Sequence, residues 1–113
     1  MKICVPTKGK DPSSDVDDRF ARAEVFAVYD TDTGSYEFIE NTATSAHGMG
    51  PRVVQLLSSK GVKVVITSNV GANAHEIMRE SGISVYLAKN GSVEENIKAY
   101  LEGKLEKFDS PTR

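Results

Sequence analysis

The sequence contains no tryptophan, a single cysteine and no run of lysine and arginine. The lone cysteine, Cys4, excludes an internal disulfide, which fits a reducing compartment. No apolar run is long enough to span a bilayer, and the first residues lack the apolar core of a signal peptide. A formal net charge of -2 without a basic stripe argues against nucleic-acid binding. These absences predict a cytoplasmic protein that has neither a membrane nor nucleic acid as a partner.

What is present is the composition of an ordinary globular protein. The chain has 113 residues, of which 39% are hydrophobic and 27% are charged. A chain of this length buries roughly two-thirds of its unfolded surface, so it needs neither a disulfide nor a metal to fold. We predict a single domain over residues 1–113, with a mobile polar loop at 8–23 and a frayed tail at 104–113.

The hydrophobic pattern predicts the element order βββαβαβα. Five short apolar runs are predicted strands, at residues 2–7, 24–30, 35–41, 62–67 and 83–88. Gly34 supplies the positive φ of a hairpin between the second and third strands. Pro51 is predicted at the first position of the first helix, and Ser92 with Glu95 forms a capping box for the third.

Connection rules turn this order into an α/β fold with three layers. Strands joined by helices are expected to be parallel, and the hairpin makes one strand antiparallel. A mixed five-stranded sheet in the order 3-2-1-4-5, with helices on both faces, satisfies these rules. The carboxyl ends of strands 1, 3 and 4 then release the loops 7–23, 42–50 and 68–72 at one edge, where α/β sheets bind ligands.

The chemistry of these loops favours an anionic ligand. Two helix N-termini direct unpaired amides and positive dipole ends to the edge. Arginines would add charge, His47 would offer a metal-ligand nitrogen, and glycines would let a bulky ligand approach the backbone. The predicted contacts are Arg19, Arg22, His47, Gly48, Met49, Gly50, Arg52, Asn69, Gly71 and Asn73. The same glycines are equally consistent with plain helix starts.

Known catalytic patterns are missing, so we expect no enzyme activity. "GMGPRV" lacks the third glycine of a dinucleotide fingerprint, and neither glycine loop ends like a P-loop. Four acidic residues crowd one loop, whereas a two-metal nuclease spreads its carboxylates over several strands. We predict that these four are solvated: Asp11, Asp15, Asp17 and Asp18.

The remaining metal-ligating residue types are given structural roles. Cys4 falls in a central strand and is predicted to be a buried core residue. His75 is predicted to lie off the apolar face of the second helix. Together with His47, these residues show no local metal-ligand spacing.

Four segments carry a family resemblance that spans nearly the whole chain: "MKICVPT", "VDDRFARAEVFAVYD", "HGMGPRVVQLLSSKGVKVVITSNVGANA" and "GISVYLAKNGSVEENIKAYLEGKL". In combination they resemble the dinitrogenase iron–molybdenum cofactor biosynthesis family, which includes NifX-like and NafY-like carriers and the C-terminal domain of NifB. The resemblance implies a ribonuclease H-like domain without nuclease activity. It also implies a carrier that binds an anionic iron–sulfur or iron–molybdenum cluster and exchanges it with donor and acceptor proteins.

The chain departs from the family pattern at one place. Many members read His-Phe-Gly where this sequence has Arg19, Phe20 and Ala21. Arginine can donate hydrogen bonds to an anion but cannot coordinate a metal, so His47 becomes the candidate metal ligand. Two alternatives stay open: a metal-free binding module for a small organic anion or phosphate, and a protein–protein adaptor.

Overall fold

The computed structural model describes residues 1–17, 20, 23–41, 49–68 and 70–108, and for residues 49–52 and 73 it describes the backbone. Within these residues the elements follow one another as predicted. They are β1 (Lys2–Thr7), β2 (Val25–Asp30), β3 (Ser35–Glu40), α1 (Met49–Ser59), β4 (Val62–Thr67), α2 (Ala72–Glu80), β5 (Ser84–Leu87) and α3 (Val93–Leu101).

The strands form a mixed sheet in the order β3-β2-β1-β4-β5, which confirms the predicted topology. β2 is antiparallel to both β1 and β3, whereas β4 is parallel to β1 and β5. The hairpin between β2 and β3 closes as expected. Gly34 has a φ of 73° and donates its N–H to Asp30 O at 2.7 Å.

Helices cover both faces of the sheet and create two hydrophobic cores. On one face, α1 and α2 contribute Val53, Leu57 and Met78 to a cluster that includes Val65 of β4. On the other face, α3 contributes Val93 and Ile97 to a second cluster. Among the described residues, no helix is long and apolar enough to cross a membrane.

The start of α1 differs from the prediction. The helix begins at Met49, so Pro51 occupies its third position rather than its first. The difference is physically small, because the amides of a first helical turn have no intrahelical partner and a proline there forfeits no hydrogen bond. The capping box of α3 is confirmed: Ser92 Oγ accepts from Glu95 N at 3.2 Å, and Glu95 Oε1 accepts from Ser92 N at 2.8 Å.

The C-terminal segment corrects the prediction of a frayed tail over residues 104–113 as far as residue 108, and residues 109–113 lie outside the described residues. Residues 105–108 lie along β5, where Leu87 N donates to Glu106 O and Phe108 N donates to Val85 O, both at 2.8 Å. The side chains of Leu105 and Phe108 are buried. The segment therefore covers the outer edge of β5, because two apolar side chains and open backbone groups bind it there.

The loop after β1 folds back on its own strand. Lys8 N donates to Asp15 O at 3.0 Å, and Asp17 N donates to Pro6 O at 2.9 Å. Asp17 is 2% exposed, so the prediction that it is solvated was wrong. These bonds weaken the expectation of mobility for residues 8–17, and mobility of the rest of the 8–23 loop stays a prediction.

Candidate functional site

The candidate site lies where the parallel strands end. β1, β4 and β5 run in one direction and finish at Thr7, Thr67 and Leu87, and β3 finishes at Glu40 on the same side. We call this side of the sheet the carboxyl edge. The chain enters α1 after β3 and α2 after β4, so both helices begin at this edge on the same face. This arrangement matches the ligand-binding edge of open α/β sheets.

The structure brings the backbone of five predicted contact residues to this edge. Met49, Gly50 and Arg52 belong to the first turn of α1, and Asn73 belongs to the first turn of α2. Gly71 is the N-cap of α2. The other predicted contacts lie outside the described residues, and their roles stay predictions: Arg19, Arg22, His47, Gly48 and Asn69.

The first turns of α1 and α2 contain no acidic residue. At α2, the N-cap residue Gly71 offers no side chain to accept from the first amides. The third helix provides an internal contrast, because α3 has the capping box of Ser92 and Glu95 together with Glu94 in its first turn. Unpaired amides at a helix start attract negative charge. The start of α2 therefore remains suited to an external anion, and the first turn of α1 carries no acid that would oppose one, whereas the start of α3 is satisfied internally.

The backbone at Gly71 is open to approach. Gly71 is exposed, and a Cβ atom placed on it would meet no described atom within 4 Å. Its φ of -71° and ψ of 162° are accessible to any residue, so backbone strain does not require glycine here. The absence of a side chain instead leaves Gly71 open on the side of the described residues, and the close approach of a ligand there stays a prediction.

Thr67 is the functional candidate that the sequence did not single out. It is 0% exposed, and among the described residues its Oγ1 has no hydrogen-bond partner. Strand alternation places it on the same face as Val65, which packs with α1 and α2. An unbonded hydroxyl buried at the end of β4 is costly and unusual. The one available signal was a polar residue that ends the apolar run "VKVVIT".

Cys4 is excluded as an accessible ligand, as predicted. It is 0% exposed, and burial raises the pKa of its thiol far above the ordinary value. Metals bind the thiolate, so the burial that disfavours the thiolate also disfavours metal binding at Cys4. Among the residues that the structure describes, no group of three or more histidine, cysteine, aspartate or glutamate side chains is arranged to hold a metal ion.

His75 also proves to be a structural residue, although the prediction that it lies off the apolar face was wrong. It is 7% exposed, and its Nε2 donates to Phe108 O at 3.2 Å. The Phe108 ring meets the imidazole edge-on, with ring centroids 5.2 Å apart. The C-terminal segment lies over α2 at this point, which is why the histidine is buried.

Comparisons with known proteins agree with this fold. Residues 1–103 match the sequence profile of the family described as dinitrogenase iron-molybdenum cofactor. An uncharacterized protein of Methanocaldococcus jannaschii is 38% identical, and the match covers 96% of this chain and 92% of that protein.

Two solved structures share the architecture over almost the full length. A Thermotoga protein of the DUF35 family, described as a candidate NifB protein, has 52% identity and a TM-score of 0.89, with 99% of this chain and 97% of that one covered. The apo form of the orange protein from Desulfovibrio gigas has 29% identity and a TM-score of 0.94, with 99% and 96% covered. The resemblance extends over nearly the whole length of the chain.

Proposed function

Because the chain belongs to the dinitrogenase iron–molybdenum cofactor family, we propose that it is a non-catalytic cytoplasmic carrier for an anionic iron–sulfur or iron–molybdenum cluster. The family relates it to proteins of iron–molybdenum cofactor biosynthesis. Cluster binding at the carboxyl edge, release to an acceptor protein and receipt from a donor protein are the finer parts of the proposal. The orange protein, which shares the fold, is described in an apo form, the usual term for a protein without its ligand.

The observation that carries the proposal is the contrast between the helix starts. The first turns of α1 and α2 lack acidic residues and begin on one face of the carboxyl edge, whereas α3 is capped and carries its own acids. Iron–sulfur clusters are anionic, and their sulfur atoms accept hydrogen bonds that stabilise them in proteins. Two adjacent sets of amides on one face suit a compact, multiply charged ligand better than a single set does.

The residues then divide into three roles. Arg19, Arg22 and Arg52 supply positive charge and hydrogen bonds to the cluster. His47 supplies the metal-ligating nitrogen, because Arg19 stands where many relatives have a histidine. The remaining predicted contacts provide backbone amides and room for the ligand: Gly48, Met49, Gly50, Asn69, Gly71 and Asn73.

Thr67 adds a donor beneath the helix starts. Its hydroxyl is covered by protein, so a ligand reaches it only by displacing what covers it. A hydroxyl without a partner among the described residues gains one when the cluster enters. The cost of leaving it unbonded is then recovered as ligand affinity.

A second candidate is a metal-free binding module for a small organic anion. The donors described at this edge are amides and a hydroxyl, which bind carboxylate or phosphate as readily as a cluster. The two candidates differ in colour, because only a bound cluster changes the visible absorption spectrum.

The proposal is tested by titrating the metal-free protein anaerobically with an iron–sulfur or iron–molybdenum cluster and following visible absorption. We expect saturable binding that weakens about tenfold or more in Arg19→Ala, because a charge-assisted hydrogen bond contributes about 1.5–3 kcal/mol. His47→Ala should also weaken binding and change the spectrum, because a metal ligand is lost.

Arg79→Ala is the matched control. Arg79 is exposed in the last turn of α2, at the opposite end of the helix, and its loss changes the net charge equally. We expect its affinity to equal that of the unmodified protein. Equal affinity in Arg19→Ala, His47→Ala and Arg79→Ala would refute the assigned roles. Binding of glucose 6-phosphate at the helix starts, without any cluster binding, would favour the metal-free module.

A further inference from the structure

A second concave site lies at the carboxyl edge, on the face that carries α3. It is a cleft of about 290 Å³, close to the lower limit of small-molecule sites in proteins. Loops that follow β1, β4 and β5 form its polar wall, with the residues Lys8, Asp15, Ser68, Lys89, Asn90 and Gly91. Val16 and Ala88 complete the lining and pack against the cluster that contains Val93 and Ile97 of α3. We call this site the lysine cleft.

The lysine cleft is cationic in a protein that is acidic overall. Its lining contains two basic residues, Lys8 and Lys89, and one acidic residue, Asp15, whereas the whole chain has a formal net charge of -2. Within the described part of the chain, neither lysine forms an ion pair. The exposed Lys10 and the half-buried Lys60 do pair with glutamates. Two lysines without an ion-pair partner in this part of the chain line one small cleft, which favours an anionic ligand.

A buried side chain fixes the backbone of Lys89. Asn96 of α3 is 1% exposed, and its Oδ1 accepts from Lys89 N at 2.8 Å while its Nδ2 donates to Lys89 O at 3.0 Å. The same Nδ2 also lies 3.0 Å from Ser92 O. One fully buried amide thus holds both backbone groups of a cleft lysine, an arrangement that limits the conformations available to the loop.

A second buried side chain fixes the residues around Lys8. Thr7 is 0% exposed, and its Oγ1 donates to Gly9 O at 3.0 Å and accepts from Gly9 N at 3.2 Å. Lys8 N itself donates to Asp15 O at 3.0 Å. A buried amide therefore holds the backbone of Lys89, and a buried hydroxyl holds Gly9, the residue after Lys8, before any ligand arrives.

The loops that follow β1 and β5 in the lysine cleft are also joined to each other by backbone hydrogen bonds. Val16 N donates to Gly91 O at 3.1 Å, and Val93 N donates to Ser14 O at 2.9 Å. Gly91 has a φ of 136°, and a Cβ atom there would lie 2.6 Å from Glu95 Oε1, so the position requires glycine. The backbone of the cleft is thus preorganised, so that binding has to order chiefly the two lysine side chains.

We infer that the lysine cleft binds a small hydroxylated organic anion. Lys8 and Lys89 would hold its carboxylate or phosphate, while Asp15, Ser68 and Asn90 offer acceptors and donors to its hydroxyl groups. Asp15 would repel a bare inorganic anion but accepts hydrogen bonds from hydroxyls. None of these residues belongs to the proposed cluster site, so the inference does not depend on that proposal.

The test is a ¹H–¹⁵N NMR titration of the full chain with glucose 6-phosphate and with malate, which distinguish a phosphate from a carboxylate ligand. Neutral glucose serves as the ligand control. We expect saturable shifts of the Lys8, Lys89 and Gly91 amides with at least one of the anions and none with glucose. In the Lys8→Gln/Lys89→Gln variant, affinity should fall at least tenfold.

The control variant is Lys63→Gln/Lys98→Gln, which removes two exposed lysines outside the cleft and changes the net charge equally. Its affinity should match that of the unmodified chain. The inference is overturned if neither anion gives saturable shifts at these amides, or if both double variants weaken binding equally. In the second case the attraction comes from overall charge rather than from the cleft.

Discussion

Replacing Thr67 by valine should stabilise the ligand-free protein. The change removes the hydroxyl and keeps the branched shape, at a position that is 0% exposed. The hydroxyl has no partner among the described residues, and burying an unbonded hydroxyl costs about 1–3 kcal/mol. We therefore expect Thr67→Val to raise the free energy of unfolding by about 1–2 kcal/mol. For a domain of this size that corresponds to a rise in Tm of about 4–8 °C.

Thr7→Val is a matched control for this prediction. Thr7 is the same residue type, is also 0% exposed, and ends the neighbouring parallel strand. Its hydroxyl is bonded to both backbone groups of Gly9. Removing it leaves those groups without their partner and should lower the free energy of unfolding by about 1–3 kcal/mol. Urea unfolding of the two variants should thus give changes of opposite sign.

The same Thr67→Val variant should bind the cluster more weakly although it is more stable. Loss of one hydrogen bond to a charged acceptor lowers affinity about tenfold or more. If Thr67→Val loses stability as Thr7→Val does, the hydroxyl has a partner in the folded protein and the reasoning is refuted. If it gains stability but keeps full cluster affinity, Thr67 does not contact the ligand.

Two further predictions concern stability. The Ser92 N–H bonded to Glu95 lowers the pKa of Glu95 from its ordinary 4.5. This bond contributes stability that is present above about pH 4.5 and is lost as the pH falls through the lowered folded-state pKa. In Glu95→Gln, the free energy of unfolding measured with urea should therefore fall less steeply as the pH is lowered below about 4.5. An unchanged dependence of this free energy on pH would contradict the prediction. Phe108→Ala should cost about 2–4 kcal/mol of unfolding free energy, because Phe108 is 9% exposed on β5 and α2. The control Leu101→Ala, at a side chain that is 53% exposed, should lower the free energy of unfolding by less than about 1 kcal/mol. Equal losses in Phe108→Ala and Leu101→Ala would show that the C-terminal segment does not pack as described.

The topology was predictable because local patterns and connection rules agree. The apolar runs at 62–67 and 83–88 alternate with helical segments, which requires parallel strands, and Gly34 marks a hairpin. The order β3-β2-β1-β4-β5 follows from these features, and the structure confirms it. The capping box of Ser92 and Glu95 was equally local and equally readable.

Contacts between distant residues were not predictable from local patterns. The pairing of Phe108 with Val85, and the burial of His75 beneath this segment, join parts of the chain that are far apart in sequence. Asp17 is buried because its loop returns to β1, and nothing in "SSDVDD" indicates that return.

The edge that carries the candidate site was predictable from the topology, whereas the side-chain contacts predicted there stay predictions. Helix starts after β3 and β4 could be placed from the topology, and Gly71 was correctly assigned to the start of α2. Thr67 could not be identified, because an unsatisfied hydroxyl is a property of the packed structure and threonine is common in strands. Lys8 and Lys89 were missed for a similar reason, since only folding brings the two loops that carry them onto one cleft.

The central claim is that this chain holds a metal cluster at the carboxyl edge. The most direct test is metal analysis across the protein peak after anaerobic gel filtration of the metal-free protein mixed with an iron–sulfur or iron–molybdenum cluster. We expect iron, with molybdenum where it is supplied, to co-elute at a constant ratio to protein, and we expect this ratio to fall in His47→Ala. Elution of all the metal apart from the protein would contradict this claim.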